Sequence, residues 1–163
     1  MTPPGKIVKL HSLLADDLVL PRLAARDRDG VLREMAAGLE ARHKAVFGGG
    51  LLRKLQKREE MGTTAIGHGV AVPHCRVKGL KSPALLLGLS KEGVHFKAVD
   101  GKLSHMFFLL VAPEDNPGAG LRLLAAIAAL TRETRTLPSK LLKAATAADV
   151  LETLRAEEEK TRA

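Results

Sequence analysis

The 163-residue chain has no tryptophan, no tyrosine and only four phenylalanines. Single-stranded nucleic-acid binders stack bases on aromatic rings, so this composition argues against that class. It also means that the core has to be built mostly from Leu, Ala and Val. A single cysteine, Cys75, excludes an internal disulfide framework. Long apolar runs are missing as well: Leu123 to Leu130 is less than half the length of a spanning helix, and membrane insertion is not expected. The opening Met1-Thr-Pro-Pro-Gly-Lys lacks the charged-then-apolar pattern of a secretory leader, which makes a cytoplasmic protein the expectation.

What is present is an ordinary globular balance, 45% hydrophobic and 27% charged. At this length a core can be buried without a disulfide or metal staple. With no internal repeat and no long linker, one domain spanning residues 1–163 is expected, its core about 10–154. Twenty-six Lys and Arg against 18 Asp and Glu give a net charge of +8, which suits phosphate groups or anionic partners. Nucleic-acid binding requires more than net charge and is not expected.

Leu32, Met35, Ala36, Leu39 and His43 share one helical face within Asp27 to Lys44, and Gly48-Gly-Gly breaks that pattern. Leu51 to Glu60 reads as a second helix stopped by Gly62, and the Gly- and Thr-rich stretch from Gly62 to Gly69 reads as loop. Val70 to Val72 is a short strand ending at Pro73. Ala84 to Leu89 and Leu103 to Val111 are apolar runs of the kind found in strands covered on both faces, and Val94-His95-Phe96 alternates like a further strand. Ala119 to Thr131 is apolar on more than one face, which predicts a buried helix. Thr146-Ala-Ala-Asp149 opens a last helix with a capping box, and its Glu157-Glu-Glu-Lys tail reads as solvent-facing. This order predicts an α/β layered domain.

Basic charge is concentrated. Arg53 to Lys81 holds seven Lys or Arg against two Glu, an excess of five out of the total +8. Within it, Arg58-Glu59 precedes Gly62-Thr63-Thr64, Ile66-Gly67 and Gly69-Val70-Ala71-Val72-Pro73-His74. Neutral imidazole is a nucleophile near pH 7 and can hold phosphorus covalently. An Arg fork matches phosphate oxygens, Thr hydroxyls donate, and glycines let backbone N–H groups approach an anion. Pro73 restricts the backbone before His74.

The order of these residues closely resembles the active-site signature of enzyme IIA proteins of the phosphotransferase system. The match is to the fructose/mannitol class and, within it, to the nitrogen-regulatory branch. Leu110-Val-Ala-Pro-Glu114 followed by Leu121-Arg-Leu-Leu-Ala extends the resemblance, which covers roughly Leu10 to Leu154. It implies a mixed β-sheet flanked by helices, and His74 as the acceptor of phosphate from a small HPr-type carrier. It also implies Arg58 and Thr64 as phosphate-binding residues, and needs no metal or organic cofactor. The phosphoryl group would pass to an enzyme IIB, or its presence would itself be a signal to a transporter or kinase. Family members usually carry a second active-site histidine, and the matching position here is Gly120. That departure opens the alternative of a non-catalytic regulatory docking module.

Other histidines carry weaker patterns. His68 and His74, with Cys75, His95 or His105, do not have the spacing of a zinc motif. His95 reads as an exposed strand residue and His105 as a satisfied buried one. Cys75 lies on the alternate side of an extended segment from His74, which disfavours a Cys-His dyad.

Overall fold

In the computed structural model, residues 8–43, 47 and 49–161 are described. A mixed six-stranded sheet forms the centre, with its longest pair antiparallel: β5 (Ala84–Val94) and β6 (Ser104–Pro113), in register from Ala84↔Val111 to Leu89↔Met106. Strand β1 (Val19–Leu20) lies parallel to the far edge of β5. On the other side of β6, two short parallel strands follow one another along the same edge. These are β3 (Val70–Ala71), paired at Met106 and Phe107, and β4 (His74–Val77), paired from Leu110 to Pro113. Strand β2 (Ala65–Gly67) pairs antiparallel with β3 and completes that side.

Among the described residues the sheet is flanked by α1 (Arg28–Arg42), α2 (Leu51–Glu60), α3 (Pro117–Glu133), α4 (Leu137–Leu142) and α5 (Ala147–Lys160). Side-chain alternation along the paired strands shows how they layer. A Cβ on Gly38 of α1 would meet Leu86, whose partner is Leu109, whereas a Cβ on Gly120 of α3 would meet Ala112. Leu109 and Ala112 are three residues apart, so α1 and α3 cover opposite faces. This double coverage explains why Leu85 to Leu87 and Met106 to Val111 are uniformly buried instead of alternating. Caps set the helix starts: the Asp27 side chain accepts from the Gly30 N–H at 2.7 Å and Thr146 from the Asp149 N–H at 3.1 Å. Among the described residues no helix is long and apolar enough to cross a membrane.

Several expectations need correction. Part of the Gly62 to Gly69 stretch is strand β2, because the Ala65–Gly67 backbone finds partners on β3. Val94 ends β5 and no strand continues through His95 and Phe96; Phe96 is instead fully buried, tilted on Phe107 at 5.1 Å between ring centroids. In α3, Leu121 is 66% exposed, so that helix is not buried all round. The Glu157-Glu-Glu-Lys tail is not a solvated face either, since Glu157 and Glu158 are both buried. The Glu158 carboxylate accepts from the Leu10 and His11 N–H groups at 2.7 and 2.9 Å and meets His11 Nδ1 at 2.7 Å. Lys140 Nζ reaches Glu157 at 3.0 Å. Lys44 and Gly48, used above to end the first helix, lie outside the described residues.

Candidate active site

Pro73 has no N–H to give, and the edge strand is interrupted between Ala71 and His74. The local groups are satisfied by other routes. Val72 N–H donates to the Thr64 carbonyl at 2.9 Å, and the Pro73 carbonyl accepts from Leu110 N–H at 2.9 Å. The Val72 carbonyl is thereby left to the imidazole two residues on. His74 Nδ1 lies 2.7 Å from it. A carbonyl oxygen can only accept, so Nδ1 carries the hydrogen and Nε2 of the neutral ring keeps its lone pair. Burial lowers the His74 pKa from its ordinary value; the Val72 hydrogen bond opposes that shift, and Arg58 and Glu59 push it down and up respectively. The net result is a ring held neutral in one tautomer.

His74 opens onto a cleft of about 920 Å³. It pairs with Leu110 and Arg76 pairs with Ala112, so these four residues share one face of the sheet, and all four line the cleft. The opposite wall comes from α2, where Lys54, Lys57, Arg58 and Met61 follow the i, i+3, i+4, i+7 spacing of one helical face. The third wall is the turn and first helical turns carrying Glu114, Pro117, Gly120, Leu121 and Leu124. Four cations and one acid therefore surround a neutral nucleophilic nitrogen. None of Lys54, Lys57 or Arg76 enters a salt bridge among the described residues. Arg58 donates from Nη1 to the Gly62 carbonyl at 2.9 Å, which orients its guanidinium across the end of α2.

Residues 12–157 match the family model described as "Phosphoenolpyruvate-dependent sugar phosphotransferase system, EIIA 2". The chain belongs to this EIIA family. It is 34% identical over 128 residues to the Nitrogen regulatory protein of Bradyrhizobium diazoefficiens, covering 76% of this chain and 80% of that protein. To the fructose-specific EIIABC component of Bacillus subtilis it is 27% identical over 123 residues, 76% of this chain but only 19% of that longer protein. Among solved structures, the nitrogen regulatory protein IIA-Ntr of Neisseria meningitidis superposes with a TM-score of 0.79 at 26% identity, covering 89% of this chain and 98% of that one. IIA mannitol of Escherichia coli shares the fold, with a TM-score of 0.70 at 18% identity over 86% of this chain and 98% of that one.

Of the residues singled out in the sequence, this EIIA domain brings His74 and Arg58 to one cleft. Thr64 is elsewhere: it is buried, does not line the cleft, and donates its hydroxyl to the Glu59 carboxylate, which also accepts from the Thr64 N–H at 3.1 Å. Nothing in the local pattern marks Glu59 as buried, since it sits in a charged helix beside Arg58; it is 4% exposed. Arg76, Lys54 and Lys57 are further cleft residues that the sequence reading does not single out, although their i+2 and i+3/i+4 spacings carry the signal. Gly120 lines the cleft, but a Cβ there would lie 2.7 Å from the Ala112 Cβ, leaving no space for a larger residue without movement. Cys75 follows on the alternate register, paired with Val111, and burial pushes its thiol up to about 12, so it is no nucleophile near neutral pH. His105 is half-buried with Nδ1 donating to the Ser90 carbonyl at 2.9 Å, and His95 is exposed. Among the described residues, no group of three or more His, Cys, Asp or Glu is placed to hold a metal ion.

Proposed function

We propose that the chain is a cytoplasmic phosphoryl carrier, with His74 Nε2 as the phosphoacceptor and an HPr-type phosphohistidine protein as the donor. EIIA domains of this system are phosphocarriers, and membership in that family sets the reaction class. The observation that carries the assignment is the His74 Nδ1–H to Val72 carbonyl bond, which leaves Nε2 as the free nucleophilic nitrogen beside cations that enter no salt bridge among the described residues.

In the transfer, the Nε2 lone pair attacks phosphorus in line while the P–N bond to the donor ring breaks. The donor imidazole leaves with that electron pair. The Nδ1 proton of His74 stays on the Val72 carbonyl side, and the bond to that carbonyl strengthens as the ring gains positive character. Arg58, Arg76, Lys54 and Lys57 offset the charge spread over the transferring oxygens; such chemistry depends on positioning and electrostatics. Thr64 acts at one remove, holding the loop before β2 against α2 through Glu59. No metal or organic cofactor takes part in these steps.

A regulatory role is favoured over sugar uptake by the nitrogen-regulatory relatives, of which the chain spans about four-fifths, at 34% and 33% identity. On that reading the phosphorylation state of His74 is the output, read by a transporter or kinase. An enzyme IIB is the recipient on the transport reading, as a IIA mannitol–phosphorylated IIB mannitol complex exists for Escherichia coli. The non-catalytic docking alternative rests on Gly120, where close packing on Ala112 leaves the family's second histidine without a counterpart.

Incubation with enzyme I, the cognate HPr-type carrier and phosphoenolpyruvate, followed by intact-mass analysis, tests the proposal. One acid-labile phosphoryl adduct is expected on the native chain and none on His74→Ala. No adduct from a carrier shown to be phosphorylated sinks the catalytic reading and leaves the docking module.

A further inference from the structure

The far end of β6 carries a second surface that phosphoryl transfer does not use. His105 borders it, whereas Leu110 pairs with His74; five residues of strand separate them, about 17 Å. Here an open concavity of about 720 Å³ lies between the β2–β3 turn, the β5–β6 connection and the start of α4, lined in part by His68, Lys102, Leu103 and Arg135.

Three independent features mark the concavity and the segments beside it; Lys102, Leu103, Arg135 and His68 line it, and Ile66, Lys97 and Val99 lie on the flanking chain. Six large apolar side chains are exposed among the described residues, and three of them, Ile66, Val99 and Leu103, are at this end, Val99 at 98% exposure. Covering such side chains would remove apolar surface from water, which is favourable. Lys97, Lys102 and Arg135 enter no salt bridge among the described residues. The acid on this segment, Asp100, accepts the N–H groups of His68 and Lys102, each at 3.0 Å, leaving three cations to one acid. Finally, the described chain has two non-glycine residues with left-handed backbone, His68 at φ 55° and Lys97 at φ 57°, and both are here. Such conformations cost energy and persist where the surrounding contacts hold them. Asp100 holds His68, and Thr63 Oγ1 donates to the Phe96 carbonyl beside Lys97.

We propose that this end of the sheet is a docking surface, distinct from the His74 cleft, for an acidic protein segment carrying apolar side chains. Charge complementarity selects the acidic partner, and Ile66, Val99 and Leu103 supply the apolar contact. A hollow suits an inserted chain segment better than a flat bilayer, and a small anion would leave Val99 and Ile66 uncovered. The inference does not depend on His74 being a phosphoacceptor.

The test is amide NMR mapping on the full chain, titrated with a synthetic amphipathic peptide of Leu and Glu. Shifts are expected at residues 66–69, 97–103 and 135–139, with binding weakened about tenfold by the K102E/R135E double variant and by added salt. Val99→Ser is expected to weaken it by a similar factor with an unchanged circular dichroism spectrum, because that side chain touches solvent only. A Leu/Lys peptide of the same pattern should not bind. The proposal is overturned by no binding, by shifts confined to the His74 cleft, or by equal binding of the Leu/Lys peptide. It is equally overturned if inorganic phosphate or phosphatidylglycerol vesicles shift these amides while the Leu/Glu peptide does not.

Discussion

Replacing Thr64 with valine separates two roles that a threonine in a Gly-rich turn could have. Valine is nearly isosteric, so no cavity forms; what disappears is the hydroxyl that donates to the buried Glu59 carboxylate. The Thr64 N–H still reaches Glu59 at 3.1 Å, leaving that carboxylate partly satisfied. A hydrogen bond to a charged acceptor contributes about 1.5–3 kcal/mol, and stranding the acceptor in a buried site keeps the loss near that range. A loss of about 2 kcal/mol corresponds to roughly thirtyfold in the folding equilibrium, or about 4–8 °C in Tm for a chain of this size. Thr64→Ser keeps the donor and should recover most of both. Urea denaturation and thermal melts measure the stabilities, and phosphorylation by the HPr-type carrier is followed in parallel. The expected pattern is a destabilised Val variant whose transfer rate, measured well below its Tm, falls less than that of Arg58→Ala. A Val variant as stable as the native chain yet severely slowed in transfer would refute the anchoring role and return Thr64 to the phosphate.

Further outcomes follow from the same geometry. Because burial lowers the His74 pKa below that of the unfolded chain, near 6.5, the unfolded state binds the extra proton in the window below that value. Stability should therefore rise with pH through that window and flatten above it; His74→Gln should remove this part of the acid limb in urea titrations run from about pH 5 to 7.5. Gly120→Ala should destabilise by about 1–3 kcal/mol through the 2.7 Å approach to Ala112, outweighing the gain in helix propensity, with Ala112→Gly restoring most of the loss in the double variant. Cys75, its thiol pushed up to about 12, should react with iodoacetamide near neutral pH far more slowly than the urea-unfolded chain, as read by mass spectrometry.

Much of the architecture is written in local patterns. Leu51 to Glu60 is helical over the stretch its spacing predicts, and the apolar runs at Ala84 and Leu103 are the two longest strands. Strands β1, β2 and β4, of two to four residues, show no period of their own and exist because β5, β6 and β3 offer them edges. Burial of Glu158 was equally illegible, since its partners Leu10 and His11 lie 148 and 147 residues away. At the site, the Pro-His motif pointed to His74, but the side-chain commitments that decide roles were hidden. Nothing local tells that Thr64 is consumed by Glu59, or that the carbonyl orienting the imidazole belongs to Val72. Nor does the sequence show that Gly120 is packed too tightly to take a histidine.

In the proposed transfer, phosphate is carried on Nε2 of His74, with Nδ1 kept as a donor to Val72. Heteronuclear ³¹P–¹⁵N NMR of the ¹⁵N-histidine-labelled chain, phosphorylated by its carrier, reads this directly. Phosphorus is expected to couple to the Nε2 of one histidine, with that signal absent from His74→Ala. Phosphorus coupled to Nδ1, or to any histidine other than His74, would contradict it.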